Sequence, residues 1–298
     1  MMRAEDWRGV FPAITTPFAE DNTVDYGFLT HHVKVMVNSG CHGIVPLGSL
    51  GEGATLTHEE KISILKTVRR ATELPVVATI SALSTDEAVA LAKEAEQLGC
   101  DGLMILPPYV YRGTEDEMLA HMIAVIGATR LSCMLYNNPI AYGTDFTPDQ
   151  IQHLAGKHGN LHSVKESSAD IRRLAEIQRL IGGRLALFMG VDDIIVEGVA
   201  AGAVGWIAGQ VNAFPRESVD LFAAARDGNR EAATRLYNWF LPLLRLDTVP
   251  KFVQLIKLTQ QEVGLGSERV RMPRMVLSGA EREAALAIIR EGVAHRPS

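Results

Sequence analysis

Apolar residues recur along this chain in two alternating rhythms. Short, near-continuous apolar runs occur at 10-VFPAITTPF, 43-GIVPLG, 75-PVVATIS, 102-GLMILPP, 132-SCMLYNNP, 161-LHSVKESS, 185-LALFMGVD and 204-VGWIAG. Between them lie longer amphipathic segments, in which one helical face is apolar. A strand that is apolar at consecutive positions is buried on both faces, as in parallel sheets covered by helices. Eight such strand–helix units close naturally into a (β/α)8 barrel. The pattern therefore predicts an α/β fold, a (β/α)8 TIM barrel with a C-terminal helical extension.

The helix starts agree with that count. Thr57-x-x-Glu60, Ser84-x-x-Glu87, Thr114-x-x-Glu117 and Thr147-x-x-Gln150 each fit a capping box, which satisfies the orphan amides of a first turn. Pro148 follows Thr147 at the first helical position, where a missing N–H costs nothing. A small repeat supports equivalent junctions: SGCHGIVPLG, LGCDGLMILP and AAGAVGWIAG each hold a Gly, two residues, a second Gly and an apolar run. The first Gly suits a helix end and the second a close approach of loop to strand. The barrel pattern ends near residue 228. Residues 229–298 read as a three-helix extension packed on the 1–228 barrel as one unit, with Pro242, Pro250 and Pro273 breaking or flanking its helices.

Composition narrows the function classes. Hydrophobic residues make up 47% of 298 residues and charged residues 21%, enough for a large core. A net charge of −6, with no basic run interleaved with aromatics, argues against nucleic acid. No apolar stretch is long enough for a membrane span, and the N-terminus lacks a signal core. Cys41, Cys100 and Cys133, an odd number, read as buried reduced thiols of a cytoplasmic protein. His31 and His32 are adjacent and point to different helix faces, and no metal-ligand spacing occurs, so no metal is expected.

Chemistry in such a barrel gathers at the C-terminal ends of its strands. The polar endings here are 46-PLGSLGEG, 136-YNNPIAYG, Lys165 and 209-GQVN. Any one of them reads as a turn or a solvated side chain. Together, a lysine, a tyrosine on the adjacent strand and a small-residue loop rich in amides can make a Schiff base. The amine attacks carbon in its neutral form, so burial must lower its pKa from about 10.4. The tyrosine moves protons, and loop N–H groups hold a carboxylate.

The order of these motifs resembles the dihydrodipicolinate synthase / N-acetylneuraminate lyase family. The similarity spans the chain: PFAEDNTVD, GSLGEGATLTHEE, LPPY, YNNP, VKESS and the helical tail. It implies that Lys165 forms the imine with a 2-keto acid or its cyclic imine, and that Tyr136 shuttles the proton. Gly48, Ser49 and Leu50 would bind the substrate carboxylate, and Gly190 and Ile207 would line the pocket. It also implies a homotetramer and no cofactor. Departures from the lysine-biosynthetic synthase point to a subgroup. Its second loop threonine is Leu50 here, and the arginine that grips a second carboxylate is Ala141. Its neighbouring-subunit tyrosine falls at Val110, beside Tyr111. YNNPIAYGTDFTPDQ and GVDDIIVEGVAAGAVGWIAGQVNAFPRE resemble the 1-pyrroline-4-hydroxy-2-carboxylate deaminases of hydroxyproline breakdown. In that reading Asn138, Tyr142 and Ser167 are candidates to contact the substrate hydroxyl or amine. The alternatives are a pyruvate-dependent aldolase or synthase, a dehydratase of a 2-keto-3-deoxy sugar acid, and a keto-acid-binding barrel without catalysis.

Overall fold

The computed structural model describes residues 2–297. Seven strands form one parallel sheet: β1 (Gly9–Pro12), β2 (Val77–Ile80), β3 (Gly102–Ile105), β4 (Ser132–Asn137), β5 (Leu161–Glu166), β6 (Ala186–Met189) and β7 (Gly205–Ala208). Their order across the sheet is β1-β7-β6-β5-β4-β3-β2, so strands consecutive in the chain are adjacent in the sheet except at one seam. The helices are α1 (Tyr26–Asn38), α2 (His58–Ala71), α3 (Thr85–Gln97), α4 (Glu115–Gly127), α5 (Pro139–Tyr142), α6 (Pro148–Lys157), α7 (Arg172–Ile181), α8 (Ile195–Ala200), α9 (Pro215–Arg226), α10 (Arg230–Leu244), α11 (Phe252–Glu262) and α12 (Gly279–Ala294).

The run at 43–48 departs from the expected eight strands. It is reduced to single parallel bridges, Ala13 with Val45 and Ile44 with Val76. Its backbone still binds both edges of the seam: the Val45 N–H donates to the Pro12 carbonyl, and the Val77 N–H donates to Ile44, each at 2.9 Å. The segment thus occupies the place of an eighth stave, and the curled sheet is consistent with a TIM barrel. The run stops early for a local reason. Pro46 has no N–H to donate, and Leu47 turns into left-handed backbone at φ 69°.

Strand parity sorts side chains between two cores. Leu103, Cys133, Leu135, Val164, Leu187 and Trp206 face outward and pack with the helices in the larger cluster. Phe11, Val77, Met104, Met134, Tyr136, Phe188 and Ile207 share the inner cluster. Lys165 has the parity of Ser163 and pairs in register with Tyr136 on β4 and Phe188 on β6. It therefore points into the barrel rather than toward the helices.

The glycine repeat has a physical role. Gly40, Gly99 and Gly202 follow α1, α3 and α8 with φ of 88°, 77° and 103°, backbone that favours glycine. Their partners Gly43 and Gly205 leave room for aromatic rings. A Cβ would sit 2.6 Å from the Phe11 ring at Gly43 and 2.3 Å from the Phe188 ring at Gly205. Those rings meet edge-to-face, with centroids 5.4 Å apart, and Trp7 completes the cluster. Full capping boxes start α2, α4 and α6, whereas Ser84 caps α3 without the reciprocal glutamate bond.

Three helices follow residue 229, with one correction. Pro242 lies inside α10 instead of breaking it. It falls in the last turn, where the helix passes into the 3₁₀ turn Arg245–Asp247, so the loss of one amide bond is tolerated. Helix α12 packs on α10, and the Trp239 indole N–H donates to Gly292 O at 2.8 Å. No helix among the described residues is long and apolar enough to cross a membrane.

Candidate active site

Lys165 is buried at the C-terminal end of β5, and its Nζ lies 3.9 Å from the centroid of the Tyr136 ring. The two residues face each other because β4 and β5 pair in register at these positions. Burial lowers the Lys165 pKa, while Tyr142, Asp247 and Asp192 act in the opposite direction. The net bias is toward the neutral amine, the form that attacks carbon. Burial raises the Tyr136 pKa, so its phenol keeps its proton. The Asn138 amide donates to that phenol oxygen at 3.0 Å, and Asn138 also caps α5 by accepting from Ala141 N.

Helix α5 carries a second phenol inward. The Tyr142 ring meets Tyr136 edge-to-face at 5.7 Å, and its hydroxyl hydrogen-bonds the Ser49 hydroxyl. Ser49 belongs to the turn that follows the shortened eighth stave. Two residues in left-handed backbone, Leu47 at φ 69° and Glu52 at φ 54°, bracket this turn. Such conformations persist where the surroundings over-determine them. Here Leu50 is buried in the inner cluster, and Gly53 approaches Leu47 O so closely that a Cβ would stand 2.1 Å from it. Gly48 faces the Thr79 hydroxyl of β2, which is buried and has no hydrogen-bond partner among the described residues.

The remaining expected residues fall in the same region. Gly190 follows β6 and lies against the lysine: a Cβ there would be 2.5 Å from Lys165 Cε and 1.9 Å from Ser167 Oγ. Ile207 is buried in the inner cluster. Tyr142 thus links the Gly48–Leu50 turn to Tyr136 and Lys165, and Gly190 closes the opposite flank. Val110 and Tyr111 are exposed instead, and the Tyr111 hydroxyl donates to Glu117 at 3.1 Å. Ala141 is exposed, and the nearby guanidinium of Arg112 lies over Gly143. A concavity of about 500 Å3 between α2 and α3 is lined by residues such as His58, Ile62 and Leu98 and holds none of the site residues.

The profile of the Dihydrodipicolinate synthetase family matches residues 6–291. The chain belongs to this family. A 4-hydroxy-tetrahydrodipicolinate synthase of Methanothrix thermoacetophila is 32% identical over 281 residues, covering 94% of this chain and 95% of that protein. The dihydrodipicolinate synthase of Aquifex aeolicus superposes with a TM-score of 0.91 at 25% identity, over 96% of this chain and 98% of that one. The enzyme of Acinetobacter baumannii, solved with pyruvate, gives 0.90 at 28% identity, over 96% and 99%. As a member of the dihydrodipicolinate synthetase family, this chain is a Schiff-base lyase of the class I aldolase type.

Sequence reasoning missed two features of the site. Two carboxyls, the buried Asp192 and the half-buried Asp247, interact with Lys165 electrostatically. Asp192 follows Gly190 closely and lay within a quoted motif, whereas nothing in the pattern around Asp247 marked it. The second is a buried ion pair. Lys257 Nζ of α11 donates to Glu52 Oε1 at 2.6 Å and to Arg269 O at 2.7 Å. The other Glu52 oxygen accepts from Arg271 N at 3.0 Å. The C-terminal helices thereby hold the far end of the Gly48–Leu50 turn.

Proposed function

We propose that Lys165 forms a Schiff base with a 2-keto acid or cyclic imine, and that the favoured reaction is deamination of 1-pyrroline-4-hydroxy-2-carboxylate. The products are 2,5-dioxopentanoate and ammonia. The observation that carries the chemistry is the desolvated Lys165 amine over the face of Tyr136. In this reading Lys165 adds to C2 of the cyclic imine and opens the ring. A proton leaves C3 with help from the Tyr136 network, the Schiff base accepts the electron pair, and the 4-hydroxyl departs as water. The resulting enamine tautomerises to an imine at C5, and hydrolysis there releases ammonia. A second hydrolysis frees the keto acid from Lys165. The amides of Ser49 and Leu50, with the Ser49 hydroxyl, hold the single carboxylate, and Gly48, Gly190 and Ile207 shape the pocket.

Ala141 supports this choice of substrate, because a methyl group cannot grip a second carboxylate. The names of the relatives favour the synthase reading over the deaminase: those at 30–32% identity are 4-hydroxy-tetrahydrodipicolinate synthases. It would need another cation, and Arg112 over Gly143 is the candidate. The deciding experiment supplies 1-pyrroline-4-hydroxy-2-carboxylate and follows ammonia and 2,5-dioxopentanoate together. Equimolar release that disappears in Lys165→Ala supports the deaminase. Condensation of pyruvate with aspartate semialdehyde, without ammonia release from the imine, supports the synthase. A homotetramer is part of the same proposal, with Val110, Tyr111 and Ile140 offering exposed apolar surface. Light scattering tests it.

A further inference from the structure

Thr79 holds an inward-facing position of β2. It pairs in register with Met104 on β3, and Met104 and Val77 both belong to the inner cluster. The Thr79 N–H donates to Pro46 O at 3.2 Å, which ties the residue to the segment that runs into the Gly48–Leu50 turn. Its side chain is 1% exposed, and no described residue hydrogen-bonds its hydroxyl. A buried hydroxyl without a partner is destabilising, and valine would give the same shape without that cost.

Gly48 leaves this hydroxyl uncovered. Its backbone is not left-handed, so conformation does not call for glycine. Space does not call for it either. Apart from its own chain neighbours, a Cβ there would meet only Thr79 Oγ1 at 3.6 Å and Met104 Cε at 4.0 Å, both ordinary contacts. Gly51 and Gly53 differ, since a Cβ would stand 2.9 Å from Ile14 O and 2.1 Å from Leu47 O. The Thr79 oxygen, not its methyl group, is thus the atom that faces the turn, and the missing side chain at residue 48 keeps a gap above it. Ser49, the other hydroxyl at this turn, is already hydrogen-bonded to Tyr142.

We propose that Thr79 is a further substrate-binding residue, whose hydroxyl donates through the gap at Gly48 to the carboxylate of a 2-keto acid. A carboxylate offers about four acceptor sites, more than the Ser49 and Leu50 amides fill. Bound substrate supplies the hydrogen bond that the folded chain does not, so Thr79 lowers stability and raises affinity. This rests on the reading above, in which the turn holds the carboxylate and Lys165 takes the carbonyl carbon. It does not depend on which keto acid or cyclic imine is turned over.

The test titrates pyruvate and follows its borohydride trapping on Lys165 by mass spectrometry, beside thermal unfolding, in wild type, Thr79→Val, Thr79→Ser and Gly48→Ala. Val keeps the shape and loses the donor. The expected result in Val is a rise of about 10-fold in half-saturating pyruvate, an unchanged maximal rate and a Tm at or above that of wild type. Ser, which keeps the hydroxyl, should bind as wild type does. Gly48→Ala should keep its Tm and show a similar rise, because its methyl group closes the gap. Acetone, which has no carboxylate, should be trapped equally by wild type and Val. Unchanged half-saturation in Val would overturn the proposal. A loss common to Val and Ser with lowered Tm would also overturn it, by showing a merely structural role, as would an equal loss for acetone. Wild type that traps neither ketone would overturn the Schiff-base reading itself.

Discussion

Gly190→Ala tests whether the lysine works from the position found here. A Cβ at residue 190 would stand 2.5 Å from Lys165 Cε, 2.8 Å from Lys165 Cγ and 1.9 Å from Ser167 Oγ. Carbon atoms settle at about 3.5–4.0 Å, so the lysine must retreat by about 1 Å. Its chain is enclosed by Tyr136 on one flank and Phe188 on the other, which leaves little room to rotate aside. Overpacking of this kind costs about 1–3 kcal/mol of stability. A shift of about 1 Å in a reacting group costs on the order of 10²-fold in rate. Activity should therefore fall far more than stability. The assay pairs kcat and borohydride trapping with thermal unfolding. Gly183→Ala is the control, because nothing lies within 4 Å of a Cβ there. An unimpaired trapping rate in Gly190→Ala, with Tm near that of wild type, would refute both the packing and the placement of Lys165.

Lys257→Met should leave the Glu52 carboxylate buried without its ammonium and cost about 3–5 kcal/mol. It should also raise KM for the keto acid more than it lowers kcat, because the Gly48–Leu50 turn loses its anchor. Thermal unfolding and steady-state kinetics read the two effects. The buried Lys165 has a folded-state pKa below its unfolded value, so the unfolded chain binds more protons between the two. Its contribution to stability therefore rises with pH across that window. Lys165→Met should be more stable than wild type near neutrality, and the gap should close as pH approaches about 10.4; Tm against pH measures it. Burial pushes the thiols of Cys41 and Cys100 up to about 12 and raises that of Cys133 still further. A thiol reagent at pH 8 should label none of the three until denaturant is added.

The sequence was most legible where one local rule sufficed. Capping residues before α2, α4 and α6 needed only their own first turn. Glycines after α1, α3 and α8 needed only the left-handed backbone that ends a helix. Lys165 and Tyr136 were legible as strand endings, because position along an apolar run places a residue at the mouth of the barrel. The run at 43–48 misled because bridges to both neighbours need only two residues, and hydrophobicity does not report how far a ladder extends.

The sequence by itself determined the alternation of strands and helices, and it supplied the lysine, the tyrosine and the turn on which the proposed chemistry rests. These depend on periodicity and on contacts between near neighbours in the chain. Only the tertiary structure decided that Lys165 points inward over Tyr136, since that follows from register between β4 and β5. It also brought Asp247 beside Asp192 and Lys257 under Glu52, pairs 55 and 205 residues apart. Burial both costs such groups their hydration and strengthens the interaction between them, and burial exists only after the whole barrel has closed around them.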